Sequence, residues 1–252
     1  MSRLLDAIES SDRVAALNDP DVFIRRVLDY EFTTFHVDWF KFQMDHPETI
    51  ILAPRGHGKS TICTVAYSLW KLLHDPDMRI LIVSNTADQA DALSGEIRQQ
   101  TERNHGLQTL FGDILGASWR ANKFTTAGRT RICKEASITS VGVEGAVVSR
   151  HYDMIILDDI VDEENSAGET ARRKLHTWYA KALMPCLEPG GELHLLGTRY
   201  HPRDLYGHIL ETAIFDDNRS IAIMEDASRT PALSRSDLRK RACGTQGKKG
   251  PA

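Results

Sequence analysis

The groups that phosphoryl chemistry requires are concentrated in Pro54-Arg55-Gly56-His57-Gly58-Lys59-Ser60-Thr61, directly after the apolar run Ile50-Ile51-Leu52-Ala53. Two glycines let the backbone turn so that its N–H groups face a polyphosphate, and a following helix adds the positive end of its dipole. Lys59 is then expected to reach the β- and γ-phosphates, and Ser60 to put its hydroxyl on Mg²⁺. The run departs from the full G-x-x-x-x-G-K-[ST] pattern at one place, where Ala53 stands for the first glycine. Context supports the assignment over an ordinary glycine turn, because an apolar strand precedes the loop and an apolar-rich run, Ile62 to Trp70, follows it as a buried helix.

Met154-Ile155-Ile156-Leu157 runs straight into Asp158-Asp159. A buried strand that delivers carboxylates at its carboxyl end places them where doubly wound sheets bind ligands. Asp158 is expected to hold Mg²⁺ and Asp159 to orient the attacking water, with Glu163 as a reserve candidate for that base. Thr198 and Arg199 follow the apolar stretch Leu193 to Leu196 and emerge at the same edge, either as a γ-phosphate sensor or as a strand-end turn. Arg55 either neutralises charge in cis or is a solvated loop arginine. Upstream, Phe35-His36-Val37-Asp38-Trp39-Phe40-Lys41-Phe42-Gln43 is densely aromatic. It reads equally as a helix packed on the sheet or as an adenine pocket, a ring stacking on the base while Gln43 bonds its edge.

The expected nucleotide contacts are therefore Gln43, Arg55, Gly56, His57, Gly58, Lys59, Ser60, Thr61, Thr198 and Arg199. The expected catalytic groups are Lys59, Asp159, Arg55 and Glu163, the metal ligands are Ser60 and Asp158, and the cofactors are ATP and Mg²⁺.

Those residues need a scaffold of buried strands. The runs at 50–53, 79–84, 154–157 and 192–196 are short, apolar and rich in β-branched residues, as parallel strands buried on both faces are. With helices between them, such as Thr86 to Arg103, they predict an α/β fold: a three-layer P-loop NTPase with a mainly parallel central sheet. Residues 1–45 read as a helical segment ending in the aromatic stretch, 46–226 as the ATPase domain with a fifth strand near Ile221 to Met224, and 227–252 as a basic, mobile tail. The segment 106–148 has the weakest pattern, with strands expected within 132–143.

The chain has 252 residues, 41% hydrophobic and 26% charged, enough for one sizeable core. Its net charge of −4 argues against a basic coat and confines any nucleic-acid contact to a local patch. Cys63, Cys133, Cys186 and Cys243 lack metal-ligand spacing, and three lie in apolar surroundings, which predicts reduced core thiols in a cytosolic compartment. No apolar run is long enough to span a bilayer, and the first residues lack the apolar segment of a secretion signal, so a cytoplasmic location without membrane partners is expected.

The order of these motifs resembles the ATPase domain of the large terminase subunit of tailed bacteriophages. The likeness is carried by Pro54 to Thr61, by Ile155-Ile156-Leu157-Asp158-Asp159-Ile160-Val161, by Leu196-Gly197-Thr198-Arg199-Tyr200-His201-Pro202-Arg203-Asp204-Leu205-Tyr206, and by the aromatic stretch ending at Gln43. It spans Tyr30 to Asp226. The resemblance implies an additional-strand ATPase stimulated by double-stranded DNA, working in the host cytoplasm as a homo-oligomeric ring with a portal protein and a small terminase subunit. Asp159 stands where that family commonly has glutamate, which leaves the base open between Asp159 and Glu163. Nothing after Met224 has the acidic strand ends of the nuclease domain that usually follows, so cleavage of DNA is not expected of this chain. A helicase-like translocase and a non-catalytic DNA-binding protein derived from a motor are the rival readings.

Overall fold

The computed structural model describes residues 2–120, 122–215 and 222–225. The predicted tail and Cys243 lie outside them. Eight strands form one sheet: β1 (Glu48–Leu52), β2 (Ile80–Ser84), β3 (Leu115–Arg120), β4 (Lys123–Thr126), β5 (Ile138–Gly142), β6 (Tyr152–Asp158), β7 (Leu187–Gly197) and β8 (Ala222–Glu225), in the order β3-β4-β5-β2-β6-β7-β1-β8. From β5 to β8 every neighbouring pair is parallel, while β3 and β4 add an antiparallel margin. β7 lies between the strand that leads into the phosphate loop and the strand that ends in Asp158, so the additional strand is present.

The strand residues sort by the two-residue period of the pleat. Ile51, Ile82 and Ile156 join one apolar cluster, while their neighbours Ile50, Leu81 and Ile155 join another on the opposite face. After α1 (Ser2–Asn18) and the short α2 (Pro20–Val22), the first cluster is covered by α3 (Thr34–Asp45), by a π-helical turn, Ser60–Ala66, that runs into α4 (Tyr67–His74), and by α5 (Ala87–Arg103). Ala16, Phe23, Trp39 and Phe40 belong to the same cluster, so the helices ahead of β1 pack into the sheet's own core. The second cluster is covered by α8 (Glu169–Trp178) and α9 (Leu205–Phe215), through Leu175, Tyr206, Ile209 and Leu210.

One expectation changes. Cys133 is exposed, because the loop that carries it runs along the surface ahead of β5; Cys63 and Cys186 are buried as expected. The weakly patterned stretch 106–148 holds α6 (His105–Phe111), the β3–β4 hairpin and β5, with β5 confined to 138–142 and Ile132 fully exposed. No helix among the described residues is long and apolar enough to cross a membrane.

Candidate active site

The phosphate loop is shaped by Gly56 (φ 79°) and Gly58 (φ 71°), both in the left-handed region that favours glycine. It is anchored from α3 by a residue the sequence reading did not single out. His36 Nδ1 accepts a hydrogen bond from the Thr33 N–H at 3.1 Å, and His36 Nε2 donates to the His57 carbonyl at 2.7 Å. One nitrogen accepting and the other donating is the neutral imidazole. The aromatic stretch thus serves the site by packing and by holding the loop.

Gln43, expected to bond the base edge, lies in the core. It is 1% exposed, and its amide donates to the Cys63 carbonyl at 3.1 Å, beneath the π-helical turn. The helical period aims Trp39, Phe40 and Gln43 at the core, and Gln43 is not among the residues that line the cleft beside Asp158.

Lys59 is 5% exposed, and its ammonium donates to the carbonyls of Ala53 at 2.7 Å and Pro54 at 3.0 Å. The Ala53 carbonyl also accepts from Thr198 Oγ1 at 3.1 Å. The lysine is therefore folded onto its own loop, and a phosphate has to compete with these carbonyls for it. Thr61 is half-buried in the turn that follows, and Arg55 and His57 are exposed on the loop.

Asp158 is the centre of the site. It is 2% exposed, accepts from Ser60 Oγ at 2.9 Å on Oδ1, and accepts from Thr64 Oγ1 at 2.5 Å on Oδ2. Burial pushes its carboxyl up to about 6 against the opposing pull of the two hydroxyls and Lys59. Thr64 was missed because it reads as one more residue of an apolar helix; the signal was its position one turn after Ser60, on the same helical face. Asp159 follows at φ 48°, in the left-handed region, and lines the same cleft as Asp158. Its N–H bonds the Leu196 carbonyl of β7, and its Oδ1 is buried with no partner among the described residues.

A cleft of about 480 Å³ opens beside these groups, lined by Arg55, Ser60, Ser84, Asn85, Gln89, Asp158, Asp159 and Asp162, among others. Arg55 sits over the Tyr200 ring, 5.4 Å from its centroid. Asp162 caps α7 (Glu163–Ala167) and accepts from Asn85 Nδ2 at 2.6 Å, joining the end of β2 to the segment after β6. Glu163, the reserve base, is exposed on the first turn of α7 and does not line the cleft, because the cap turns Asp162 inward in its place. Thr198 and Arg199 do not line it either. Arg199 is exposed and donates to the Pro202 carbonyl at 3.1 Å, within a loop that Asp204 ties by accepting from the N–H groups of Tyr200, His201 and Gly207.

The arrangement suits a hard divalent cation. Ser60 Oγ and Asp158 Oδ1 converge within 2.9 Å, and the unpartnered Asp159 Oδ1 supplies a further buried oxygen, which matches the all-oxygen preference of Mg²⁺.

No protein-family model matches the chain. The large terminase subunit of Enterobacteria phage T3 is 30% identical over 198 residues, which are 77% of this chain and 32% of that protein. The chain thus spans about a third of the length of this curated relative. Among solved structures, a mutant of the large terminase ATPase domain of Thermus phage P74-26 is similar at a TM-score of 0.51 and 15% identity, covering 70% of this chain and 68% of that one. The HK97 bacteriophage large terminase gives a TM-score of 0.48 at 14% identity, covering 86% of this chain and 47% of its own. At these identities the structural likeness is one of fold.

Proposed function

We propose that this chain, a relative of the phage large terminase subunits, hydrolyses ATP in the cleft beside Asp158, and that hydrolysis drives double-stranded DNA into a procapsid. The observation that carries the reading is the meeting of Ser60 and Asp158, which lie 98 positions apart in sequence and 2.9 Å apart in the fold, at the carboxyl edge of the sheet. In the same reading the active form is a ring of copies acting in the host cytoplasm with a portal protein and a small terminase subunit.

The N–H groups of the loop from Gly56 to Lys59 hold the β- and γ-phosphates, and the Lys59 ammonium exchanges the Ala53 and Pro54 carbonyls for phosphate oxygens. Ser60 and Asp158 would hold Mg²⁺, which supplies charge neutralisation across the β- and γ-phosphates. Asp159 orients the attacking water with the carboxylate oxygen that has no partner among the described residues. Arg55, on the cleft wall, balances charge developing on the transferred group. Thr198 senses the phosphates through the Ala53 carbonyl that it shares with Lys59: when the lysine leaves that carbonyl, the Thr198 bond strengthens or shifts. Arg199, on the loop that follows, passes this change outward.

The test is ATP turnover by the full chain, with and without double-stranded DNA. Turnover is expected in the native chain and is expected to vanish in Lys59→Ala, while circular dichroism stays unchanged. Equal turnover in the two proteins would exclude this cleft.

A further inference from the structure

The antiparallel margin of the sheet, separated from Asp158 by β5 and β2, holds a second concentration of charge. Arg120 at the end of β3 pairs directly opposite Lys123 at the start of β4. Like charges at facing positions of an antiparallel pair repel, so this pairing weakens the hairpin. The loop ahead of β5 brings Arg129, Arg131 and Lys134 to the same pocket, which has a volume of about 240 Å³ and a single lining carboxylate, Glu135. It shares no lining residue with the cleft beside Asp158.

The loop is a built feature. Asp77 accepts from Thr130 N, Thr130 Oγ1 and Arg131 N, each at 2.7 Å, and the Lys134 ammonium bonds the Ser149 carbonyl. The cations are compensated only in part: Arg129 donates to Cys133 Sγ at 2.5 Å and feels the Asp77 carboxylate. Among the described residues no carboxylate lies within ion-pair distance of Arg120, Lys123 or Arg129, and Arg129 Nε is buried without a partner. Arg131 reaches Asp153 only at 3.6 Å, a carboxylate already gripped by Arg79 at 2.7 Å, and Lys134 reaches Glu135 at 3.7 Å. Five cations thus line the pocket against one lining carboxylate, with Asp77 and Asp153 beside the loop as the further acids, in a chain whose net charge is −4.

We propose that this pocket grips backbone phosphates of double-stranded DNA, on a surface distinct from the nucleotide cleft. The choice of DNA rests on the function proposed above; the anionic character of the ligand rests on the charges alone. A duplex suits the pocket better than an unpaired strand. Single-strand sites stack bases on exposed rings, and the one aromatic residue in the lining, Phe124, is 2% exposed.

The experiment is fluorescence anisotropy of a labelled mixed-sequence duplex with the full chain, without ATP, over a series of salt concentrations. The native chain is compared with the double variant Arg120→Gln, Lys123→Gln. Losing two phosphate contacts is expected to weaken binding about tenfold or more and to reduce the slope of log affinity against log salt by about 1 to 2. ATP turnover without DNA is expected to stay unchanged, since neither residue touches the cleft. Unchanged affinity and slope in the double variant would overturn the proposal. So would tighter binding of a single-stranded oligonucleotide, or displacement of the duplex by inorganic phosphate at matched ionic strength. Duplex binding that maps to these residues in a chain without ATP turnover would uphold the surface while removing the proposed reaction, which separates the two.

Discussion

Asp158 and Asp159 are neighbours in sequence with different surroundings. Asp158 is held by two hydroxyls at the end of β6, whereas Asp159 sits in a left-handed turn with a buried oxygen that has no partner among the described residues. Asp158→Asn is expected to weaken Mg²⁺-dependent nucleotide binding, because the amide keeps the shape and loses the charge. Asp159→Asn is expected to leave binding largely intact and slow turnover by about 10²- to 10⁴-fold, the range for losing a general base. Single-turnover kinetics beside equilibrium nucleotide binding distinguishes the two. Loss of turnover in Glu163→Gln with normal turnover in Asp159→Asn would reverse the assignment. His36 invites a separate measurement. Its ring packs 4.1 Å from that of Phe35 and 5.3 Å from that of Trp39, so His36→Phe keeps the stacking while losing the bond to the His57 carbonyl. One net hydrogen bond contributes about 0.5–1.5 kcal/mol, which predicts a rise in KM for ATP of about 2- to 10-fold with kcat little changed. A KM equal to the native value would show that the loop does not depend on this tie.

At the scale of elements, the site is a junction of β1, β6 and β7. β7 contributes Gly197, beside Leu52 of β1, and a Cβ at that position would collide with the Tyr206 ring and hydroxyl from α9. Tyr206 Oη donates to the Leu196 carbonyl at 3.0 Å, so the glycine is what lets the helix close on the strand end. Gly197→Ala is expected to cost about 1–3 kcal/mol by overpacking, read as a fall of several degrees in melting temperature. A melting temperature equal to that of the native chain would mean that α9 moves aside without cost.

For the molecule as a whole, a buried polar network away from the nucleotide cleft makes stability depend on pH. Glu192 accepts from Lys71 at 2.5 Å and from Tyr67 at 3.1 Å, and His194 lies between Glu192 and Thr49. Burial pushes Glu192 up, but His194 and Lys71 pull it further down, to about 2. Its folded value is thus below its ordinary value of 4.5, so its stabilisation is complete above about pH 4.5 and is lost as pH falls toward 2. The contribution is up to about 3 kcal/mol. His194 is held below its ordinary value of 6.5 by burial and stays neutral in the fold, so protonation of the unfolded chain begins to erode stability once pH drops below that value. Urea midpoints across pH should decline in two stages, and Glu192→Gln should flatten the lower one. A single decline that is unaltered by Glu192→Gln would rule out this network as its source.

The sequence alone determined which apolar runs become the central strands and where along the chain the two motifs lie, because both depend on local signals. Apolar runs too short for helices become buried strands, glycines beside a lysine and a serine form a phosphate loop, and acids at a strand's end emerge at a sheet edge. What only the tertiary structure decided was which side chains face the cleft. Gln43 and Glu163 have suitable groups at suitable distances in sequence, yet one is turned into the core by helical period and the other is displaced outward by the Asp162 cap. Thr64, His36 and Asn85 were given no role by the sequence, and they reach the site through contacts with residues 94, 21 and 77 positions away. The antiparallel hairpin was equally hidden, since its strands are short and their pairing depends on β5. Local pattern fixes an element's type, whereas the direction of a side chain depends on the packing of distant segments, which no short stretch encodes.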